Sequence, residues 1–251
     1  MALRLAPILP ADDLPPMERV YVPDPIVGPM VEVSGPEAHH LARVRRSVPG
    51  DRVELFDGRG NAVQGRIEAV GRSTVSVVIE APLPTRPVPS ATVTLASAVP
   101  KGERFDWLIE KATELGVARL IPIRTARSVV DPRSSKLDRL RRLVVEASKQ
   151  SGRNRLMELG APIDWEDLIG QGPLGVGLVA HPAGEPIGRV GPAREVTVAI
   201  GPEGGFTDEE IGRALASGWR AVGLGPTILR IETAGLAACA AILSRSEGEV
   251  P

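Results

Sequence analysis

Apolar residues recur along this chain with two different periods, and the change falls near residue 82. Between residues 19 and 80 they form short, half-alternating runs: RVYV (19–22), VEV (31–33), DRVELFDG (51–58) and STVSVVIE (73–80). Gly, Pro and Asp separate these runs, which therefore predict strands. One helix fits this region, over 37–46, opened by Ser34-Gly-Pro. Several short strands in so few residues predict a small barrel. Four prolines follow in APLPTRPVPS (81–90), the composition of a stiff linker. Beyond it, apolar strands alternate with helical spacing. TVTLASAV (92–99), RLIPIRT (119–125), GVGLVAH (175–181), VTVAIG (196–201) and AVGLG (221–225) read as strands. Residues 103–116, 134–151, 207–217 and 232–245 read as helices, and 182–195 as a Gly/Pro-rich surface loop. Such alternation predicts an α/β fold with a parallel sheet covered on both faces. The expected organisation is a proline-rich leader (1–18), a barrel (19–82), a linker (83–91) and an α/β domain (92–248).

Composition narrows the function classes. A chain of 251 residues with 43% hydrophobic content can build one large core or two modest ones. Its formal net charge of −1 names no partner. A single cysteine, Cys239, excludes an internal disulfide and a cysteine-rich zinc site, and suits a reduced, cytoplasmic compartment. The apolar run 234–243 is too short to span a bilayer. His39, His40 and His181 have no metal-ligand spacing, so no metal is expected.

The stretch AIGPEGGFTDEEI (199–211) carries the first candidate chemistry. Thr207 and Glu210 match a capping box, and Phe206 and Ile211 a hydrophobic staple. The loop 201–205 then lies at a strand's carboxyl end, where open α/β sheets bind ligands. A phosphate cradle fits poorly, because Glu203, Asp208, Glu209 and Glu210 would repel a polyanion and the loop has no Lys or Arg. A cationic ligand, or a neutral ring seeking backbone hydrogen bonds, matches better; S-adenosylmethionine offers both. The plain alternative is a tight turn whose acids suit the helix dipole. Residues 175–180 match G-x-G-x-x-A, but His181-Pro182 follow instead of a helix, so a dinucleotide site is rejected. In LGPTILRIETAGLAA (224–238), Arg230 and Glu232 flank the start of an almost wholly apolar helix. Its small residues suit a subunit interface, with a central core helix as the alternative.

In order, HHLARVRR (39–46), GDRVELFDG (50–58), PKGERFDWLIEKATELGVARLIPI (100–123), ARSVV (126–130), KQSGRNR (149–155), GPEGGF and LGPTILRIETA resemble the SPOUT superfamily. More narrowly, they are similar to the ribosomal RNA small-subunit methyltransferase E family, which methylates N3 of a uridine in 16S ribosomal RNA of the small subunit. The resemblance implies a PUA-like barrel for RNA, a SPOUT-type α/β domain with a trefoil knot, and a homodimer. It implies S-adenosylmethionine held mostly by backbone of three loops: His181 and Pro182; Ile200, Gly201, Pro202, Glu203, Gly204 and Gly205; Leu224, Gly225, Ile228, Leu229 and Thr233. Arg230, Glu203 and Glu232 become the catalytic candidates, Arg230 for an anionic uracil and a glutamate for its proton. Thr227, where the family often has arginine, and Ile231, often threonine, are departures that backbone contacts survive. Rival readings are another SPOUT RNA methylation and a non-catalytic RNA-binding assembly factor.

Local charge points to RNA as well. Residues 133–155 hold eight basic and two acidic side chains, +6 in a chain of net −1. Helical spacing would put Arg139, Arg142, Lys149 and Arg153 on one face, opposite Leu137, Leu140, Val144 and Ala147. His40, Arg43, Arg45 and Arg46 form a second basic group. With Arg19, Asn154 and Arg155 they make up the expected RNA surface, which aromatics, at 3%, would contact little.

Overall fold

The computed structural model describes residues 17–84, 89–130 and 137–246; the expected leader and the middle of the linker lie largely outside them. The chain divides into two compact units, 1–87 with 148–156, and 88–147 with 157–251.

In the first unit β1 (Glu18–Tyr21), β2 (Met30–Ser34), β3 (Arg52–Phe56), β4 (Ala62–Val70) and β5 (Thr74–Pro82) form one sheet in the order β1-β3-β4-β5-β2. β1 runs parallel to β3 and the other pairs are antiparallel. Register shifts between β4 and β5 near Gly65 and Ala69 curl the sheet, since an extra residue on one strand bends it. The curled face buries Val20, Val33, Val53, Leu55, Ile67, Val75 and Val77. Leu41 and Ala38 cover it from a short helix, α1 (Gly35–His39), which continues as a π-turn through Val44.

The second unit is built on a parallel sheet. Its strands are β6 (Thr92–Ala98), β7 (Arg119–Arg124), β8 (Glu158–Leu159), β9 (Ile163–Asp164), β10 (Val176–Pro186), β11 (Glu195–Ile200) and β12 (Arg220–Gly223). The order is β12-β10-β11-β6-β7-β8, with β9 also on β7. Helix α2 (Arg104–Leu115) buries Phe105, Leu108, Ile109 and Ala112, the 3–4 spacing of one face. Gly116 ends it in the left-handed region at φ 96°, and the N–H of Val117 returns to the Ala112 carbonyl at 3.0 Å. The other helices are α3 (Leu137–Ser151), α4 (Trp165–Gln171), α5 (Asp208–Ala216) and α6 (Ile231–Ser246).

Several elements differ from expectation, the two-residue strands β8 and β9 among them. β4 and α4 were not anticipated: Gly65 interrupts the alternation of AVQGRIEAV, and WEDLIGQ is too short to show helical periodicity. The supposed surface loop 182–195 begins as strand, because β10 runs on to Pro186 against β12. Helix α6 packs on α2, β6 and β11, burying Ala234, Gly235, Ala238, Cys239 and Ile242. It is therefore a core helix on that face. Its small residues allow the close approach: a Cβ on Gly235 would stand 3.3 Å from Leu108. Burial pushes the Cys239 thiol up to about 12, so it is chemically inert here.

Candidate functional site

β12, β10 and β11 are neighbours and parallel, so their carboxyl ends open on the same edge of the sheet. That edge receives residues 181–184, 201–205 and 224–230, which include His181 and Pro182 and the other two loops that the resemblance implies.

β10 reaches Ala180 opposite Val222, then resumes with Glu185 opposite the same Val222. The four residues between are extruded. His181 Nδ1 accepts from the Ala183 N–H at 3.2 Å, which folds the extrusion on itself. Glycine is required at 184, because a Cβ would lie 2.4 Å from the Val222 nitrogen.

The second segment is a tight turn closed by the Gly205 N–H to the Pro202 carbonyl, 2.8 Å. Pro202 is buried, whereas Glu203 and Gly204 are exposed. The expected capping box is present. Thr207 Oγ1 accepts from the Glu210 N–H at 3.1 Å, and Glu210 Oε2 accepts from the Thr207 N–H at 2.7 Å. Glu210 Oε1 also accepts from the Ala126 N–H at 2.8 Å, tying the segment after β7 to the start of α5. Phe206 is buried beneath the turn against Trp165, which in turn packs on Trp219.

Sequence reasoning missed Arg127. Its Nη1 donates to the Gly204 carbonyl at 2.7 Å and lies 3.4 Å from that of Phe206. A cation from the β7 segment thus braces a turn that has none of its own. The signal was ARSVV, which carried resemblance but no role.

The third segment is open. Leu224 and Leu229 are half-buried, residues 225–228 are exposed, and Ile228 is 98% exposed. The N–H groups of Gly225, Thr227, Ile228 and Leu229 have no hydrogen-bond partner among the described residues. Arg230 and Thr233 are exposed at the start of α6, while Glu232 is buried. Glu232 Oε1 stands 3.9 Å from Arg104 Nη1, and its Oε2 is covered without a hydrogen-bond partner among the described residues. Of the two candidate carboxylates, Glu203 is the one open to a substrate. Among the described residues no cluster of His, Cys, Asp and Glu could hold a metal.

The single basic face anticipated on α3 is not formed. The helix ends at Ser151, so Arg153 lies beyond it, and burial lowers Arg153 to about 10. Lys149 is nearly buried and pairs with Glu37 at 3.2 Å. Arg139 pairs with Asp106, and Arg142 remains exposed. Arg19 is an internal strut: Nε meets Glu54 at 2.8 Å, Nη1 donates to the Ser148 carbonyl at 2.6 Å, Nη2 donates to Asn154 Oδ1 at 2.5 Å, and the guanidinium covers Phe56. Asn154 is buried with it. His40 meets Glu18 at 3.1 Å, whereas Arg43, Arg46 and Arg155 are exposed. Long basic side chains satisfy buried carbonyls and carboxylates as readily as phosphates, and charge counting does not distinguish the two uses.

A family model described as RNA methyltransferase domain matches residues 87–243, and another, RNA methyltransferase PUA domain, matches 33–80. The ribosomal RNA small subunit methyltransferase E of Synechocystis sp. is 34% identical, over 89% of this chain and 76% of that protein. That of Bacillus subtilis is 32% identical, over 87% and 91%. The crystal structure of the Neisseria gonorrhoeae ribosomal RNA small subunit methyltransferase E bound to S-adenosyl methionine superposes with a TM-score of 0.85 at 31% identity, covering 91% of this chain and 97% of that one. Family model and relatives agree, and the chain belongs to the ribosomal RNA small subunit methyltransferase E family.

Proposed function

We propose that this protein transfers a methyl group from S-adenosylmethionine to N3 of a uridine in 16S ribosomal RNA of the small subunit. The observation that carries the reading is the convergence of three backbone-rich segments on one carboxyl edge of the sheet, with Glu203 exposed among them. The residues present fit such a donor. Four unpartnered N–H groups in 225–229 suit the acceptors of an adenine or a carboxylate, and the acidic turn suits a cation. Gly184 lets the extruded segment lie flat against β12. His181, Pro182, Ile200 to Gly205, Leu224, Gly225, Ile228, Leu229 and Thr233 would hold the donor.

When bound, S-adenosylmethionine supplies an electrophilic methyl group on sulfur. The chain's own residues must prepare the nucleophile. Uracil N3 carries a proton that has to leave, and the exposed Glu203 carboxylate would accept it. The ring is left with negative charge over its carbonyl oxygens, which the exposed Arg230 guanidinium would stabilise. Glu232, buried beside Arg104, serves to hold the start of α6. Fixing both reactants in one orientation supplies much of the rate. Arg43, Arg46, Arg142 and Arg155 are the exposed cations for the RNA.

The same reading includes a trefoil knot in the α/β domain, a cytoplasmic location and a homodimer. The exposed small face of α6 at Thr233 and Ala237 suits a second copy. It also keeps the domain division 19–82, 83–91 and 92–248. The test is a donor titration paired with methylation of small subunits, for wild type and Arg230→Ala. Equal donor affinity with a turnover loss of about 10²–10³-fold is expected. Full turnover in the variant would remove Arg230 from the reaction.

A further inference from the structure

We infer that Arg59 and Arg155 together form a phosphate site for the RNA, one backbone phosphate being held between two guanidinium groups; the inference rests on the RNA-modifying reading above. Both residues lie in the first compact unit and both are exposed. They face each other in an isolated antiparallel bridge. The bridge is fixed on either side, by the Gly60 N–H to the Asn154 carbonyl and by the Leu156 N–H to the Gly58 carbonyl, each at 3.0 Å. Two like charges directly opposite in an antiparallel pair are unfavourable. An acidic residue at either position would have been stabilising instead.

The turn has a carboxylate, but it is already engaged. Asp57 accepts from the Arg59 N–H at 2.7 Å, the Asn61 N–H at 3.1 Å and the Asn61 side chain at 2.6 Å. Burial alone would raise the Asp57 carboxyl, yet these bonds, helped by the nearby Arg59 charge, outweigh it and hold the group below the usual carboxylate range. The Asp57 oxygens are therefore occupied in shaping the turn, and their charge offsets that of Arg59 only from a distance. Arg59 Nη1 donates to the Pro23 carbonyl at 3.1 Å, which anchors its side chain and leaves the other guanidinium donors without a partner among the described residues. The Arg155 guanidinium lies over Gly60, whose φ of 117° and missing Cβ make the room: a Cβ there would stand 3.4 Å from Nη2 and 3.9 Å from Cζ. Among the described residues the Arg155 guanidinium has no carboxylate partner within ion-pair distance. A rigid turn thus presents two adjacent cations whose repulsion a bound phosphate relieves, and guanidinium forks suit phosphate oxygens.

The experiment is a salt titration of binding between the full-length protein and a labelled small-subunit ribosomal RNA fragment, with Arg59→Gln, Arg155→Gln and the double variant. Each single change is expected to weaken binding about three- to tenfold and to reduce the log affinity–log salt slope by about 0.7, the value for one phosphate on a single strand. The double variant is expected to lose little more than either single, because one phosphate is shared. S-adenosylmethionine affinity should stay at the wild-type value, and the melting temperature should hold or rise as the repulsion is removed. Unchanged affinity and slope in the variants, with wild type binding RNA, would overturn the pair alone. So would fully multiplicative losses, which would mean two separate contacts. Wild type without affinity for the RNA would overturn the functional reading along with it.

Discussion

Two glycine-bearing turns in this molecule use their carboxylates in opposite ways. In residues 57–61 the acid is turned inward: Asp57 ties the turn together with three hydrogen bonds. In residues 201–205 the acid is left outside. Glu203 is exposed, and beyond its own Gly205–Pro202 hydrogen bond the turn is held by side chains from elsewhere, with Arg127 on the Gly204 carbonyl and Glu210 bridging Ala126 to the start of α5. The first arrangement frees arginines, the second frees a carboxylate. A turn whose own acid organises it can present cations to an anion. A turn organised from outside can spend its acid on proton transfer.

The largest effect that sharpens this contrast is expected at Glu203. Glu203→Gln keeps the shape and removes the proposed base, so turnover should fall about 10²–10⁴-fold with melting temperature unchanged. Single-turnover methylation and a thermal melt measure both. Asp57→Ala should show the reverse signature. It leaves the N–H groups of Arg59 and Asn61 without their acceptor and should cost about 2 kcal/mol of stability in denaturant unfolding, with donor affinity intact. Arg127→Ala should weaken S-adenosylmethionine binding about tenfold by titration, and Arg127→Lys, which can still reach one carbonyl, should recover part of that loss. The smallest effect concerns pH. Because the folded Asp57 carboxyl lies below its ordinary value, its contribution is fully present above about 3.9 and is lost as pH falls through the lower folded value. The acid limb of the wild-type stability curve should therefore be steeper than that of Asp57→Asn.

The parts legible in sequence were those written into adjacent residues. Thr207 and Glu210 announced their capping box, and Gly116 the end of α2, because both devices act within one helical turn. Alternation after residue 91 gave the parallel sheet, and with it the edge where three segments meet. What stayed hidden depends on partners distant in the chain. Arg127 acts on a carbonyl 77 residues away. Arg19 and Lys149 looked like RNA ligands, yet they satisfy Asn154, Glu54 and Glu37 inside the first unit. Glu232 looked equivalent to Glu203 until burial separated them. β10 looked finished at His181, because a strand that extrudes four residues and resumes leaves no periodic trace.

The central claim is most directly tested by incubating the purified protein with unmodified small ribosomal subunits and labelled S-adenosylmethionine, then digesting the RNA and identifying the labelled nucleoside. The account predicts label in N3-methyluridine at a single position of 16S ribosomal RNA, abolished by Glu203→Gln. Label in a ribose or in another base, or no label from a protein that binds the donor, would contradict it.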